Sequence, residues 1–142
     1  MSHYAFITGA TSGIGLATAK ALAEKKYDLV LAARNTEKLQ QVKETIASTY
    51  GVQVTTYALD VQKKDDIHRV VDSCLAQFGA PDVLVNDAGL ARGLEPYGET
   101  EEEDILQMID TNIKGLFLMT RAFLPAMLER NTGHIVNMGS TA

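Results

Sequence analysis

The sequence holds a single cysteine, Cys74, so no internal disulfide can form and a reducing compartment is the expectation. No apolar run approaches the roughly 18 residues of a membrane span. The opening MSHYAFITG shows no basic stretch leading into a long apolar one. Neither a membrane anchor nor a secretory leader is therefore expected, and the cytoplasm is the default location. Basic residues are in deficit, 13 Lys and Arg against 18 Asp and Glu, for a formal charge of −5. That balance argues against nucleic acid or an anionic membrane as partner. Repeats, low-complexity tracts and linker-like stretches are also missing, so residues 1–142 are expected to form one domain. The three histidines, His3, His68 and His134, lie on different elements without ligand spacing, and no metal site is expected.

A hydrophobic content of 46% with 22% charged residues fits a globular chain with a real core. Short β-rich runs alternate with helical patterns throughout. Strands are predicted at Tyr4–Thr8, Leu29–Ala33, Gln53–Ala58, Val83–Asn86 and His134–Met138. Helices are predicted at Gly13–Lys25, Thr36–Tyr50 and Lys63–Phe78, with a long fourth one from about Glu101 to Glu129. Strands separated by helices build βαβ units and a parallel sheet. The nearly all-apolar DLVLAA suits a strand covered on both faces. Cys74 falls within an amphipathic pattern and is expected to be a small packed residue. The acidic run Glu99–Asp104 is read as a helix start, with Thr100 and Glu103 forming a capping box. Pro125 predicts a kink or break near Ala122–Phe123.

Gly9, Gly13 and Gly15 stand between the first strand and the first helix. Glycine permits unusual φ there, and the missing Cβ lets the backbone approach a pyrophosphate. The helix N-terminus adds unpaired N–H groups and the positive end of its dipole. The Ser12 hydroxyl can supply a further donor, and Gly15 allows close packing of the helix on the sheet. An ordinary tight turn is the alternative. A P-loop is excluded, because Gly15-Leu16-Ala17 stands where Gly-Lys-Ser/Thr would be required.

The octapeptide TGATSGIG, Thr8 to Gly15, resembles the glycine motif of the short-chain dehydrogenase/reductase family. The likeness recurs along the chain. LAARN has Ala33 where NAD-preferring members carry an acid, followed by Arg34 and Asn35. This resembles the NADP-preferring type, and a guanidinium can bind a 2′-phosphate bidentately where a carboxylate would repel it. LDV, with Asp60 and Val61, resembles the adenine contact. NDAG resembles the family's Asn-Asn-Ala-Gly but departs from it at Asp87, which lacks the amide donors of asparagine. TNIKGLF places Asn112 at the family's catalytic asparagine, held to fix a water in a proton relay. GHIVNMGSTA places Ser140 at its catalytic serine, whose hydroxyl binds the substrate oxygen, and that stretch looks most like members acting on small hydroxy acids and short alcohols.

The resemblance implies a doubly wound parallel α/β sheet of the Rossmann type, with strand order 3-2-1-4-5. The cofactor would lie across strands 1 and 4. It implies NADP(H), with NAD(H) disfavoured, bound by Gly9, Thr11, Ser12, Gly13, Ile14, Gly15, Arg34, Asn35, Asp60, Val61, Asn86, Ala88 and Gly89. A small-molecule substrate follows and, where the full-length chain is present, a homo-oligomer assembled through the long fourth helix and the helix after it, which this sequence does not include. The family's chemistry also needs Tyr-x-x-x-Lys. Tyr4, Tyr27, Tyr50, Tyr57 and Tyr97 are followed four residues later by Thr8, Leu31, Val54, Val61 and Glu101. The chain therefore reads as the family's N-terminal cofactor-binding part, without its C-terminal strands and helices and expected to be inactive alone. A non-catalytic NAD(P)-binding module stays open beside this reading. A methyltransferase is disfavoured by Arg34.

Overall fold

A computed structural model describes residues 1, 3–90, 92 and 95–140 of the chain. Five parallel strands run in the order β3-β2-β1-β4-β5, which is the predicted order. The strands are β1 (Tyr4–Thr8), β2 (Asp28–Ala33), β3 (Val54–Ala58), β4 (Val83–Asn86) and β5 (His134–Asn137). Between them lie α1 (Gly13–Glu24), α2 (Thr36–Tyr50) and α3 (Lys64–Phe78). After β4 come a 3₁₀ turn at Tyr97–Glu99, then α4 (Glu102–Ile109), a π-helical segment (Asp110–Gly115) and α5 (Leu116–Arg130). Predicted and observed boundaries differ by about one residue, the ordinary uncertainty of a fraying end. Among the described residues, no helix is long and apolar enough to cross a membrane.

β1 is buried along its whole length, because it sits at the sheet's centre between two helical layers. Its alternating side chains divide the core. Tyr4 and Phe6 face one cluster with Ile67, Val70, Met119 and Phe123 from α3 and α5. Ala5 and Ile7 face another with Ala19, Ala23, Leu39 and Ile46 from α1 and α2. The rings of Phe6 and Phe123 lie 4.8 Å apart between centroids, a tilted aromatic pair at the heart of the first cluster. Cys74 packs there as predicted, fully buried, and burial pushes its thiol up to about 11.

The end of the sheet at which β1 and β4 begin is clasped by Asp82. Its Oδ2 accepts from the Tyr4 amide at 2.8 Å. Its Oδ1 accepts from Arg130 Nη2 at 2.6 Å and lies 3.3 Å from His3 Nδ1. Burial works against this carboxylate, yet the Tyr4 amide, His3 and Arg130 together hold its pKa below the usual range.

One local prediction needs correction, and of a second, the kink or break at Pro125, the break is overturned. The capping box does not form. Glu101 is the residue before α4 and makes no side-chain cap bond, while Thr100 closes the preceding 3₁₀ turn through its amide to Tyr97 O at 3.1 Å. Glu103 instead accepts from Gln107 Nε2, one turn on, at 3.3 Å. The helix thus starts one residue later than a box would need, although its first turn remains acidic. Nor is the helix broken at Ala122–Phe123, since α5 continues through Pro125. Phe123 and Met127 are buried on either side of the proline and anchor that stretch to the core. The irregularity falls earlier, in the π-helical segment at 110–115.

That segment is pressed onto the exit of β3. A Cβ on Gly115 would stand 2.9 Å from both Cγ2 and the backbone oxygen of Val61. Gly115→Ala should therefore destabilise the protein by roughly 1–3 kcal/mol in chemical denaturation, the usual range for overpacking. Gly98→Ala, where a Cβ would meet nothing within 4 Å, should stay within about 0.5 kcal/mol. Equal midpoints for the two variants would contradict this packing.

Candidate functional site

The exits of β1, β2, β3 and β4 open into one cleft of about 520 Å³. Ligand sites in open α/β sheets lie at such strand exits, where the order reverses about the first strand. β1 contributes Gly9, Thr11, Ser12, Gly13 and Ile14, and β2 contributes Ala33, Arg34 and Asn35. The exit of β3 adds Asp60 and Val61, that of β4 adds Ala88 and Gly89, and Thr111 comes from the π-helical segment. All the predicted cofactor residues except Gly15 and Asn86 thus line a single cavity. Those two are buried beneath it.

The glycine turn is shaped by close approaches. Gly9 and Gly13 have φ of +63° and +56°, which side-chain-bearing residues rarely adopt. A Cβ on Gly9 would stand 2.8 Å from the backbone oxygen of Asp87, so glycine lets the β1 exit lie against the β4 exit. At Gly13 a Cβ would meet nothing within 4 Å, leaving that side of the turn open to a ligand. Ser12 precedes α1 without capping it through its side chain. Its hydroxyl and the first N–H groups of the helix therefore face the same anion-favouring end.

The remaining walls are set by side chains bonding to backbone. Thr8, buried at the end of β1, accepts through Oγ1 from the amides of Asp87 and Ala88, each at 3.0 Å. Sequence reasoning gave Thr8 no role, although it opens the glycine motif. Asp60 accepts from Gln62 N through Oδ1 at 3.0 Å and donates its own amide to Asp66 at 2.7 Å. The Asp60 amide and then Arg69 hold the Asp66 carboxyl below the usual range. The Oδ2 of Asp60 makes no hydrogen bond among the described residues, and Arg34 makes no ion pair among them. Asn35 has a structural duty the sequence reading did not assign: its Oδ1 caps α2 by accepting from Lys38 N at 3.1 Å.

Asn86 does not line the cleft. It points behind it, donating from Nδ2 to Thr120 Oγ1 and to Asn137 Oδ1, both at 3.0 Å. It thus ties β4 to α5 and β5. Asn112 is likewise committed: its Oδ1 accepts from Leu90 N at 2.9 Å and its Nδ2 donates to Leu90 O at 2.8 Å. This two-point clip holds the chain leaving β4 and uses one acceptor site and one N–H of the amide. Ser140, past the end of β5, is exposed and does not line the cleft. The following Thr141 and Ala142 lie outside the described residues.

Two further cavity residues carry chemistry that the sequence left open. Thr111 is 7% exposed, and its Oγ1 has no partner among the described residues. Such a buried hydroxyl invites a ligand atom. Asp87 lines the cleft, and burial raises its carboxyl above the usual range against the opposing pull of the Gly15 N–H. Among the described residues, no three His, Cys, Asp or Glu side chains gather as a metal site.

Comparison with known proteins agrees with this geometry. A family model described as short chain dehydrogenase matches residues 3–142. The NADP-dependent 3-hydroxy acid dehydrogenase YdfG of Salmonella typhi is 47% identical over 136 residues, covering 96% of this chain and 53% of that protein. The chain thus spans about half the length of such curated relatives. The crystal structure of a serine dehydrogenase from Escherichia coli superposes with a TM-score of 0.88 at 40% identity, covering 97% of this chain and 62% of that one. A metagenomic short-chain oxidoreductase in complex with NADP gives 0.94 at 36% identity, over 99% of this chain and 63% of that one.

The Leu90 clip has a direct consequence. Asn112→Ala should speed amide hydrogen exchange at Leu90 by about two- to twelve-fold, the equivalent of one ordinary hydrogen bond. Exchange within β1 should stay unchanged. Unaltered protection at Leu90 would show that the clip does not hold this segment.

Proposed function

Because this chain belongs to the short-chain dehydrogenase family, we propose that it supplies the NADPH-binding fold of an oxidoreductase. The reaction moves a hydride between the nicotinamide and a small alcohol or carbonyl compound, with hydroxy acids the leading class. The observation that carries this reading is the pairing of an open glycine turn with an unpaired Arg34 across one cleft. The named functions of the relatives, a 3-hydroxy acid dehydrogenase and an oxidoreductase bound to NADP, support the same choice.

The residues present fit a dinucleotide. The open side of Gly13 and the start of α1 would receive the pyrophosphate. Arg34 would hold the 2′-phosphate, with Ala33 beside it presenting no competing charge. Asp60, with its open Oδ2, would accept from the adenine amine. The orphaned Thr111 hydroxyl offers one more bond on the same side of the cavity. When bound, NADPH supplies the hydride. The chain's own part is to fix the cofactor and the β4 exit, through Thr8 and Asn112, and to carry Ser140 on the β5 exit as a donor to a substrate oxygen.

Self-association is the second element of the proposal. Leu106, Ile109, Ile113 and Phe117 are 45% to 67% exposed, and their helical spacing makes one apolar stripe along α4, the π-helical segment and α5. A stripe of this kind suits a matching face on a second copy.

Fluorescence titrations should show NADPH binding more tightly than NADH. A charge-assisted bond contributes roughly 1.5–3 kcal/mol, so the preference should be about 10- to 150-fold. Arg34→Ala should remove most of it, and Ala33→Asp should turn it toward NADH. Identical curves for the two cofactors with the unaltered protein would overturn the assignment of Arg34.

A further inference from the structure

Asp87 is the residue at which the β4 exit departs from Asn-Asn-Ala-Gly, and its surroundings give that departure a chemical consequence. Its Oδ2 stands 2.6 Å from the point a Cβ on Gly15 would occupy, and the carbonyl oxygen of Gly9 crowds the same point. The Gly15 N–H faces the carboxylate and favours its ionised form, against the larger effect of burial. The Gly9 carbonyl brings only an acceptor, and so does an ionised carboxylate. Two acceptors therefore border the same space beside the Gly15 Cα, inside the turn whose shape the pyrophosphate site depends on.

Among the described residues, no cation offsets this crowding. From β1 the facing side chain is Thr8, whose hydroxyl binds the Asp87 and Ala88 amides. The stretch from Gly9 to Ala17 carries no ionisable residue, and neither does the segment from Val136 to Ser140 at the end of β5. Arg34 and Asp60 are the other charged residues lining the cleft, at the exits of β2 and β3. On the helical side, Asp110 and Lys114 pair with each other at 3.3 Å. Burial shifts the Asp87 carboxyl upward, and no lysine, arginine or histidine opposes the shift.

We infer that Asp87 makes cofactor binding proton-linked: the protonated side chain donates to the Gly9 carbonyl and closes the turn, whereas the carboxylate opposes both that carbonyl and the incoming phosphates. The inference rests on the NADPH reading given above. Its sign is fixed by linkage. An anion bound nearby raises the carboxyl's pKa further, so binding takes up a proton from solvent and affinity falls as pH rises through the folded-state value. The unliganded fold follows the same direction. Unfolded Asp87 ionises near the ordinary 3.8 and the folded residue above it, so its contribution to stability is lost as pH rises across that interval.

Asp87→Asn keeps the shape and supplies an amide donor to Gly9 at every pH. NADPH titrations from about pH 4 to about pH 8, a range that spans the interval above the ordinary carboxyl value, should show the parent's Kd rising roughly ten-fold more than the variant's. The cofactor's own 2′-phosphate titrates near pH ~6 and acts on both proteins alike, so the ratio of the two Kd values is the readout. Asp87→Ala should also lose the extra pH dependence, yet bind more weakly than the asparagine variant because it lacks the donor. A ratio that stays constant over the range overturns the inference. If neither protein binds NADPH at any pH, the functional reading itself fails, and thermal unfolding without cofactor then decides the inference. A Tm gap between variant and parent that widens with pH supports it, and parallel Tm curves overturn it.

Discussion

The cleft depends on the contact between the carbonyl of Gly9 and the bare Cα of Gly15. A Cβ at position 15 would overlap that oxygen, so only glycine lets the first turn of α1 lie against the strand it follows. The same economy holds at Gly9, whose Cα lies against the Asp87 carbonyl. Three backbone segments converge because two side chains are missing, and the helix N-terminus is thereby aimed into the space above the sheet. Other cavity features, from Arg34 to Thr111, are positioned relative to this convergence.

Around it the structure separates duties. The hydrophobic layers on the two faces of the sheet fix where the strands end, a non-directional constraint that tolerates small shifts. Directional bonds then set the details. Thr8 fixes the β4 exit to β1, Asn112 fixes Leu90, and Asn86 gathers α5 and β5 behind the cleft. Side chains that a motif would assign to a ligand are in several cases occupied by backbone, and this leaves Ser12, Arg34 and Asp60 as the groups most open to one. The Asp82 clasp lies at the opposite end of the same two strands, β1 and β4.

Element type was legible from short-range patterns, whereas strand order and nearly every cavity residue were implied by the resemblance of separated motifs to one family. Alternation of β-rich and amphipathic runs specifies a parallel sheet, and the residues just past each strand must then share one edge. What could not be read depends on pairs distant in sequence. The π-helical segment ends at Gly115, packed closely on Val61, a contact no local propensity encodes. Thr8 acquires its role only when Asp87 and Ala88 arrive beside it. The capping box failed because Thr100 is claimed by a turn whose existence depends on Pro96 and Tyr97. At Pro125 the helix continues without a break, with Phe123 and Met127 buried on either side of the proline.

Cys74 closes the description from another direction. It is the single cysteine of these 142 residues, it is fully buried within the first core cluster, and its thiol is held near about 11. Nucleophilic sulfur is the thiolate, so electrophiles and mild oxidants find almost nothing to attack while α3 stays docked on the sheet. Modification of this sulfur would be gated by breathing of the interior itself, and its rate would serve as an internal clock for how often the core opens.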